Sequence, residues 1–108
     1  MNSDLPTPIT AYVAANARLD ANGMLAPFAR DAVVRDDGGR HVGLDEIRTW
    51  IQSATVASRA VFTPETWHVR DGCIVVAGLT AGDFPGSPTR FTFSFMLRDG
   101  AIAGLEIA

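Results

Sequence analysis

The feature that most constrains this chain is a change of hydrophobic period near Arg59. Before it, apolar residues recur at helical spacing; after it they alternate every second residue, as strands require. Residues 61–69, 73–80, 90–97 and 102–107 read as strands, with Asp71-Gly72 and Asp99-Gly100 as hairpin turns. Pro64 marks an edge position or a bulge. Alternation sets Phe91, Phe93 and Phe95 on one side of their strand and Thr92, Ser94 and Met96 on the other. It likewise separates Trp67 and Val69 from Thr66 and His68. Residues 73–80 are almost all apolar, so that strand is buried on both faces or covered by a partner. Residues 82–88 are turn formers and read as a loop.

The first half is helical. Thr7-Pro8 is a hydroxyl cap followed by a proline suited to a first turn. Ile9, Tyr12, Val13 and Asn16 then share a face, with Tyr12 and Asn16 one turn apart and able to point at the same space. Residues 20–23 are a turn or a new cap, and Met24, Leu25 and Phe28 predict a short second helix. Residues 32–36 predict a strand with Val34 and Asp36 on one face, and residues 37–39 a turn. A third helix follows Gly43. Asp45 and Glu46 lie in its first turn, where the helix dipole favours acids. Leu44, Ile47, Trp50, Ile51 and Ala54 form its apolar stripe.

The reading is therefore a loose tail over residues 1–6 and one domain over residues 7–108. Helices segregated from a meander give an α+β fold. We expect a curved antiparallel sheet, a cone, with three N-terminal-half helices on its concave face. Such a layer would enclose an apolar cavity walled by the phenylalanines, Trp50 and Trp67.

Composition narrows the function. At 108 residues there is room for one core. The net charge is -3 and the nine basic residues, all Arg, are dispersed, so no nucleic-acid footprint is present. No apolar run reaches the roughly 18 residues of a membrane span, and residues 1–8 lack a secretory pattern. A single cysteine, Cys73, fits a reduced, cytoplasmic setting. No Gly-x-Gly-x-x-Gly or phosphate loop calls for a cofactor. Asp36, Asp37 and His41 match no metal-ligand spacing. Ser87 stands in Gly-Ser-Pro, outside any nucleophile elbow.

Asp36 carries two readings. Before Asp-Gly-Gly it can cap a turn through the Gly38 or Gly39 amide. Facing inward beside Val34, it can serve as a buried base or ligand contact. His41, close by in the loop before the third helix, could pair with it or remain solvated.

The order of elements, the Asp31-Ala-Val-Val-Arg-Asp36 strand and the Gly43-x-x-x-Ile-x-x-Trp50 helix resemble the SnoaL-like branch of the nuclear transport factor 2-like superfamily, with its cystatin-like fold. The Phe84-Pro-Gly-Ser-Pro88 loop and the Asp99-Gly-x-Ile102 turn look like the same branch. Ketosteroid isomerase, a member, has an Asp base at the end of its first strand and a Tyr donor on its first helix. The resemblance places these on Asp36 and Tyr12. It implies proton abstraction next to a carbonyl, by an isomerase or a polyketide cyclase. Asn16 would assist Tyr12, and Phe28, Trp50, Trp67, Phe93, Phe95 and His41 would contact a small apolar molecule. The alternative is a non-catalytic ligand-binding or dimerisation module of the same fold. The isomerase's second acid falls near Phe93, where Thr92, Phe93 and Ser94 include no carboxyl, so the oxyanion hole would be half built. The resemblance also implies a homodimer paired through the sheet.

Overall fold

A computed structural model describes residues 5–108. The order is α1 (Thr7–Ala17), α2 (Ala21–Leu25), β1 (Phe28–Asp36), β2 (Gly39–Val42), α3 (Gly43–Trp50), a π-helical segment (Ile51–Val56), β3 (Val61–Arg70), β4 (Cys73–Ala81), β5 (Thr89–Arg98) and β6 (Ala101–Ile107). The strands form one sheet in the order β2-β1-β6-β5-β4-β3. The expected meander runs antiparallel from β3 to β6. The return to the first half is made by β1 lying parallel to β6, so the sheet is mixed. The architecture is thus the α+β layer expected, with three helices against one sheet.

Local chemistry sets the turns. The pairs Asp37-Gly38, Asp71-Gly72 and Asp99-Gly100 share φ values near 53° and 78°. Both central residues lie in the left-handed region, which makes these tight turns of the twist hairpins need. The first of them creates β2, an element absent from the sequence reading, and places His41 on a strand opposite Val34. At the start of α3 the Glu46 carboxylate accepts from the Val42 N–H at 2.7 Å, satisfying a free donor of the helix end. At α2 the Asp20 carboxylate accepts from the Gly23 N–H at 3.1 Å. Thr7 makes no such bond; the cap position of α1 is Pro6.

Several expectations are corrected. Phe28 opens β1 and does not close α2. Leu5, at the inner end of the expected tail, is buried, while residues 1–4 lie outside the described residues. The α3 stripe holds at Ile47, Trp50 and Ile51, but Thr55 is buried and Ala54 exposed. A π-helix advances by more residues per turn than an α-helix, so the inward position after Ile51 slips by one. Along β3 the register shifts between Pro64 and Thr66. That bulge brings Phe62 and Trp67, five apart, to the same side. Gly78 faces it; a Cβ there would overlap the Thr63 carbonyl.

The core lies between the helices and one face of the sheet. It includes Ile9, Met24, Val34, Ile47, Phe95 and Ile102, each fully buried. Asn16 is a polar group within it, and its amide is wholly used. Its Nδ2 donates to the Ala60 carbonyl at 2.9 Å and its Oδ1 accepts from the Phe62 N–H at 2.7 Å. Nδ2 also lies 3.9 Å from the Met24 sulfur. The side chain thereby stitches α1 to the start of β3. Replacing Asn16 by Ala orphans two backbone groups, so we expect a loss of about 2–4 kcal/mol in urea denaturation. A change below about 0.5 kcal/mol, the size of a surface substitution, would contradict this role.

Candidate functional site

A cavity of about 530 Å³ lies between α1, the C-terminal end of α3 with its π-helical extension, and the sheet. Its polar lining includes Tyr12, Asp36, Thr55, Ser58 and Thr80; its apolar lining includes Trp50, Phe62, Phe84, Phe91 and Phe93. Asp37 and Ala54, both exposed, also border it.

Asp36 ends β1 with its side chain toward this space. It does not cap the turn. Its Oδ2 accepts from the Trp50 indole Nε1–H at 3.0 Å. Trp50 is 4 % exposed, so the indole N–H would otherwise be a costly buried donor. One bond thus satisfies the indole and fixes the carboxylate, while Oδ1 makes no hydrogen bond to a described side chain or amide. A carboxylate held by one oxygen and open at the other is a ready proton acceptor.

Tyr12 is 2 % exposed and wedged among aromatic rings. Phe28 and Phe95 meet it edge-on at centroid distances of 5.8 and 5.9 Å. These contacts aim the ring, and its hydroxyl has no partner among the described residues. Burial, and secondarily the negative charge of Asp36, push its pKa well above the usual tyrosine value. The phenol therefore keeps its proton and acts as a hydrogen-bond donor. Phe62 and Phe93 stack at 4.0 Å and 15°, forming a flat apolar wall.

The residues expected from the sequence divide accordingly. Asp36, Tyr12, Asn16, Trp50 and Phe93 line one cavity. Asn16 has no spare donor and positions the wall rather than assisting Tyr12. Phe28 and Phe95 sit in the core behind Tyr12, bracing it and not touching the space. Trp67 is half-buried outside the lining. His41 packs 6.1 Å from the Trp50 ring, forming no pair with Asp36. Phe91, one of the three phenylalanines expected to wall the cavity, lines it. Phe62, Phe84, Thr55, Ser58 and Thr80 were not anticipated; Phe62 was hidden by the bulge. Ser87 accepts from the Gly82 N–H at 2.9 Å and shapes the loop carrying Phe84. Among the described residues no group of three His, Cys, Asp or Glu could hold a metal ion. No helix among the described residues is long and apolar enough to cross a membrane.

Tyr12 is the single tyrosine, so its ionisation can be read directly by ultraviolet absorbance. The folded protein should show no phenolate as pH passes about 10, the ordinary value. The unfolded chain gives up that proton first. Stability is therefore fully present below about pH 10 and falls as pH rises beyond it. Asp36→Asn should lower the folded midpoint only in part, because burial is the larger cause. Ordinary titration of the folded wild type would refute this account of the hydroxyl.

The model of a SnoaL-like domain matches residues 9–105. A protein from Sinorhizobium meliloti, named as a candidate polyketide cyclase, is 38% identical over 100% of this chain and 99% of its own, with a TM-score of 0.93. A Catenulispora acidiphila protein with a ketosteroid isomerase-like fold, solved with trimethylamine, is 21% identical over 95% of this chain and 85% of its own, at a TM-score of 0.79. A nuclear transport factor 2-like protein of unknown function from Cytophaga hutchinsonii reaches 0.78 at 9% identity, over 100% and 93% of the two chains, a likeness of fold alone. No curated protein matches in sequence. By the extent of the domain match and of its Sinorhizobium relative, this chain belongs to the SnoaL-like domain family.

Proposed function

We propose that this protein binds a small, largely apolar carbonyl compound and catalyses proton transfer next to its carbonyl, as an isomerase or cyclase does. The observation that carries the reading is the pairing of Asp36 and Tyr12 in one aromatic cavity, a fixed acceptor and a fixed donor. Asp36 Oδ1 takes the proton from the carbon beside the carbonyl. The electron pair moves onto the carbonyl oxygen, where the Tyr12 hydroxyl donates. The carboxylic acid then returns the proton to another carbon of the enolate, or the enolate carbon attacks a second carbonyl of the same molecule and that carbonyl's oxygen takes the proton as a hydroxyl. The raised pKa of Tyr12 fits a donor that stabilises the oxyanion without surrendering its proton. The name borne by the Sinorhizobium relative supports the cyclase form of the reading.

A second reading, a ligand carrier, has its own support. The resemblance puts the isomerase's second acid near Phe93, and Phe93 is stacked on Phe62 with no carboxyl beside it in Thr92 or Ser94. With one oxyanion donor, catalysis would be weaker by about 10²–10³ than with two. Exchange of the α-protons of a cyclic enone in D₂O, followed by NMR, separates the two readings. Asp36→Asn should cut the exchange rate by about 10²–10⁴ and leave binding nearly intact. Tyr12→Phe should cut it by about 10²–10³. Exchange at the solvent rate in the wild type, with binding retained, would leave the carrier reading in place.

We also propose a homodimer through the outer sheet face, in the reduced setting of the cytoplasm that the lone Cys73 suits. Val33, Val75, Ala77, Leu79 and Met96 lie there, with Met96 51% and Leu79 37% exposed in the single chain. Such apolar exposure on a sheet favours a partner. Light scattering should give twice the chain mass, and Met96→Glu should return it to the monomer. A monomeric wild type at micromolar concentration would refute the pairing.

A further inference from the structure

His41 lies outside the cavity lining, and its ring rests against the indole that fixes Asp36. On β2 it is paired with the fully buried Val34, so its side chain is on the inner side of the sheet. The imidazole is half-buried, with its centroid 6.1 Å from that of the Trp50 ring and the two planes 35° apart. That separation is within the range of offset aromatic contact. Trp50 itself lines the cavity, so the imidazole covers the indole from outside it.

The turn Asp36-Asp37-Gly38-Gly39 points the same way. Gly38 is in the left-handed region, with φ of 78°, as the tight turn requires. Gly39 is not, so its backbone conformation does not call for glycine. The space beside it does. Gly39 is the residue directly opposite Asp36 across the hairpin. A Cβ there would lie 3.2 Å from His41 Nε2, 3.6 Å from its Cε1 and 3.3 Å from the Asp36 carbonyl oxygen. The missing side chain is the room into which the imidazole leans, along β2 toward the residue paired with Asp36.

We infer that His41 is a positioning residue for Asp36, acting through Trp50, and that Gly39 makes room for it. This deepens the proposed function and rests on its assignment of Asp36 as the proton acceptor. Trp50 is 4% exposed with the imidazole in place. Without that ring, water reaches the indole and competes with Asp36 for its N–H. A carboxylate that shares its donor with water is no longer held in one pose. Misplacing a reacting group slows the chemical step more than it weakens binding.

Two measurements on the full chain test this. The first reads the bond itself. In proton NMR the Trp50 indole N–H signal, identified by its loss in Trp50→Phe, should exchange slowly with solvent in the wild type. His41→Ala should speed that exchange by about 10-fold or more, as local opening becomes easier. His41→Phe keeps a ring on the indole and should leave the exchange slow. The second measurement is the exchange of the α-protons of cyclohexenone in D₂O. His41→Ala should lower kcat by about 10-fold and move KM by less than about 2-fold. His41→Phe should restore most of the rate. In Trp50→Phe, which has no indole N–H to hold, adding His41→Ala should cost nothing further. Gly39→Ala should lower kcat in the wild type and leave it unchanged in His41→Ala. Slow indole exchange retained in His41→Ala, or fast exchange already in the wild type, would overturn the role of His41. So would an equal loss of rate when His41→Ala is added to Trp50→Phe. A purely structural role, which would also overturn it, would lower the denaturation midpoint of His41→Ala and leave kcat of the folded protein unmoved. A wild type that exchanges the enone protons at the solvent rate would overturn the proton-transfer reading alone, and the indole signal would still decide whether His41 holds the pose of Asp36.

Discussion

The hydrogen bond from the Trp50 indole to Asp36 is the constraint on which the site depends. It joins the end of a helix to the end of a strand, at the point where the helical half of the chain meets the sheet. A bond to a charged acceptor is worth about 1.5–3 kcal/mol, enough to hold a partly exposed carboxylate in a single pose. Without it Asp36 would be free to turn toward the Gly38 and Gly39 amides, the ordinary fate of an aspartate before a glycine turn. The indole thereby converts a turn residue into a cavity residue.

Around that bond the rest is support. Phe28 and Phe95 aim the Tyr12 ring, so two core residues that never touch the cavity decide where its donor sits. Asn16 does similar work for the wall, trading both sides of its amide to pin the beginning of β3 and hence Phe62. The π-helical segment rotates Thr55 inward and leaves Ala54 at the rim. The cavity is thus an outcome of helix-to-sheet bracing, with the aromatic rings supplying its surface and few polar groups left to direct a ligand. Asp36 keeps one carboxylate oxygen open and Tyr12 its hydroxyl, so both can be directed at a ligand.

Much of the fold was legible in the residues. The Asp-Gly turns, the period-two strands and the apolar stripe of α3 each rest on local chemistry that a sequence displays. The parallel pairing of β1 with β6 was not legible, because nothing local marks which distant strand will lie alongside. β2 is short and polar, and its hairpin partner is what makes it a strand. For the site, helix spacing and strand parity picked out Tyr12 and Asp36, since period determines the face of an element. Period does not determine depth. Phe28 and Phe95 share a face with cavity residues yet lie beneath Tyr12, and Trp67 and His41 lie to the side. Thr80 was hidden in an apolar run, and Phe62 by a bulge whose effect on parity could not be placed to the residue.

The central claim is geometric: one carboxylate oxygen and one phenol proton are presented together to a carbonyl compound. A crystal structure with a bound cyclic enone tests it most directly. The account predicts the carbonyl oxygen within about 3 Å of the Tyr12 hydroxyl and an enolisable carbon within about 3.5 Å of Asp36 Oδ1, with the indole bond intact. An enone lodged with its carbonyl away from Tyr12, or an Asp36 side chain turned to the Gly38 and Gly39 amides, would contradict it.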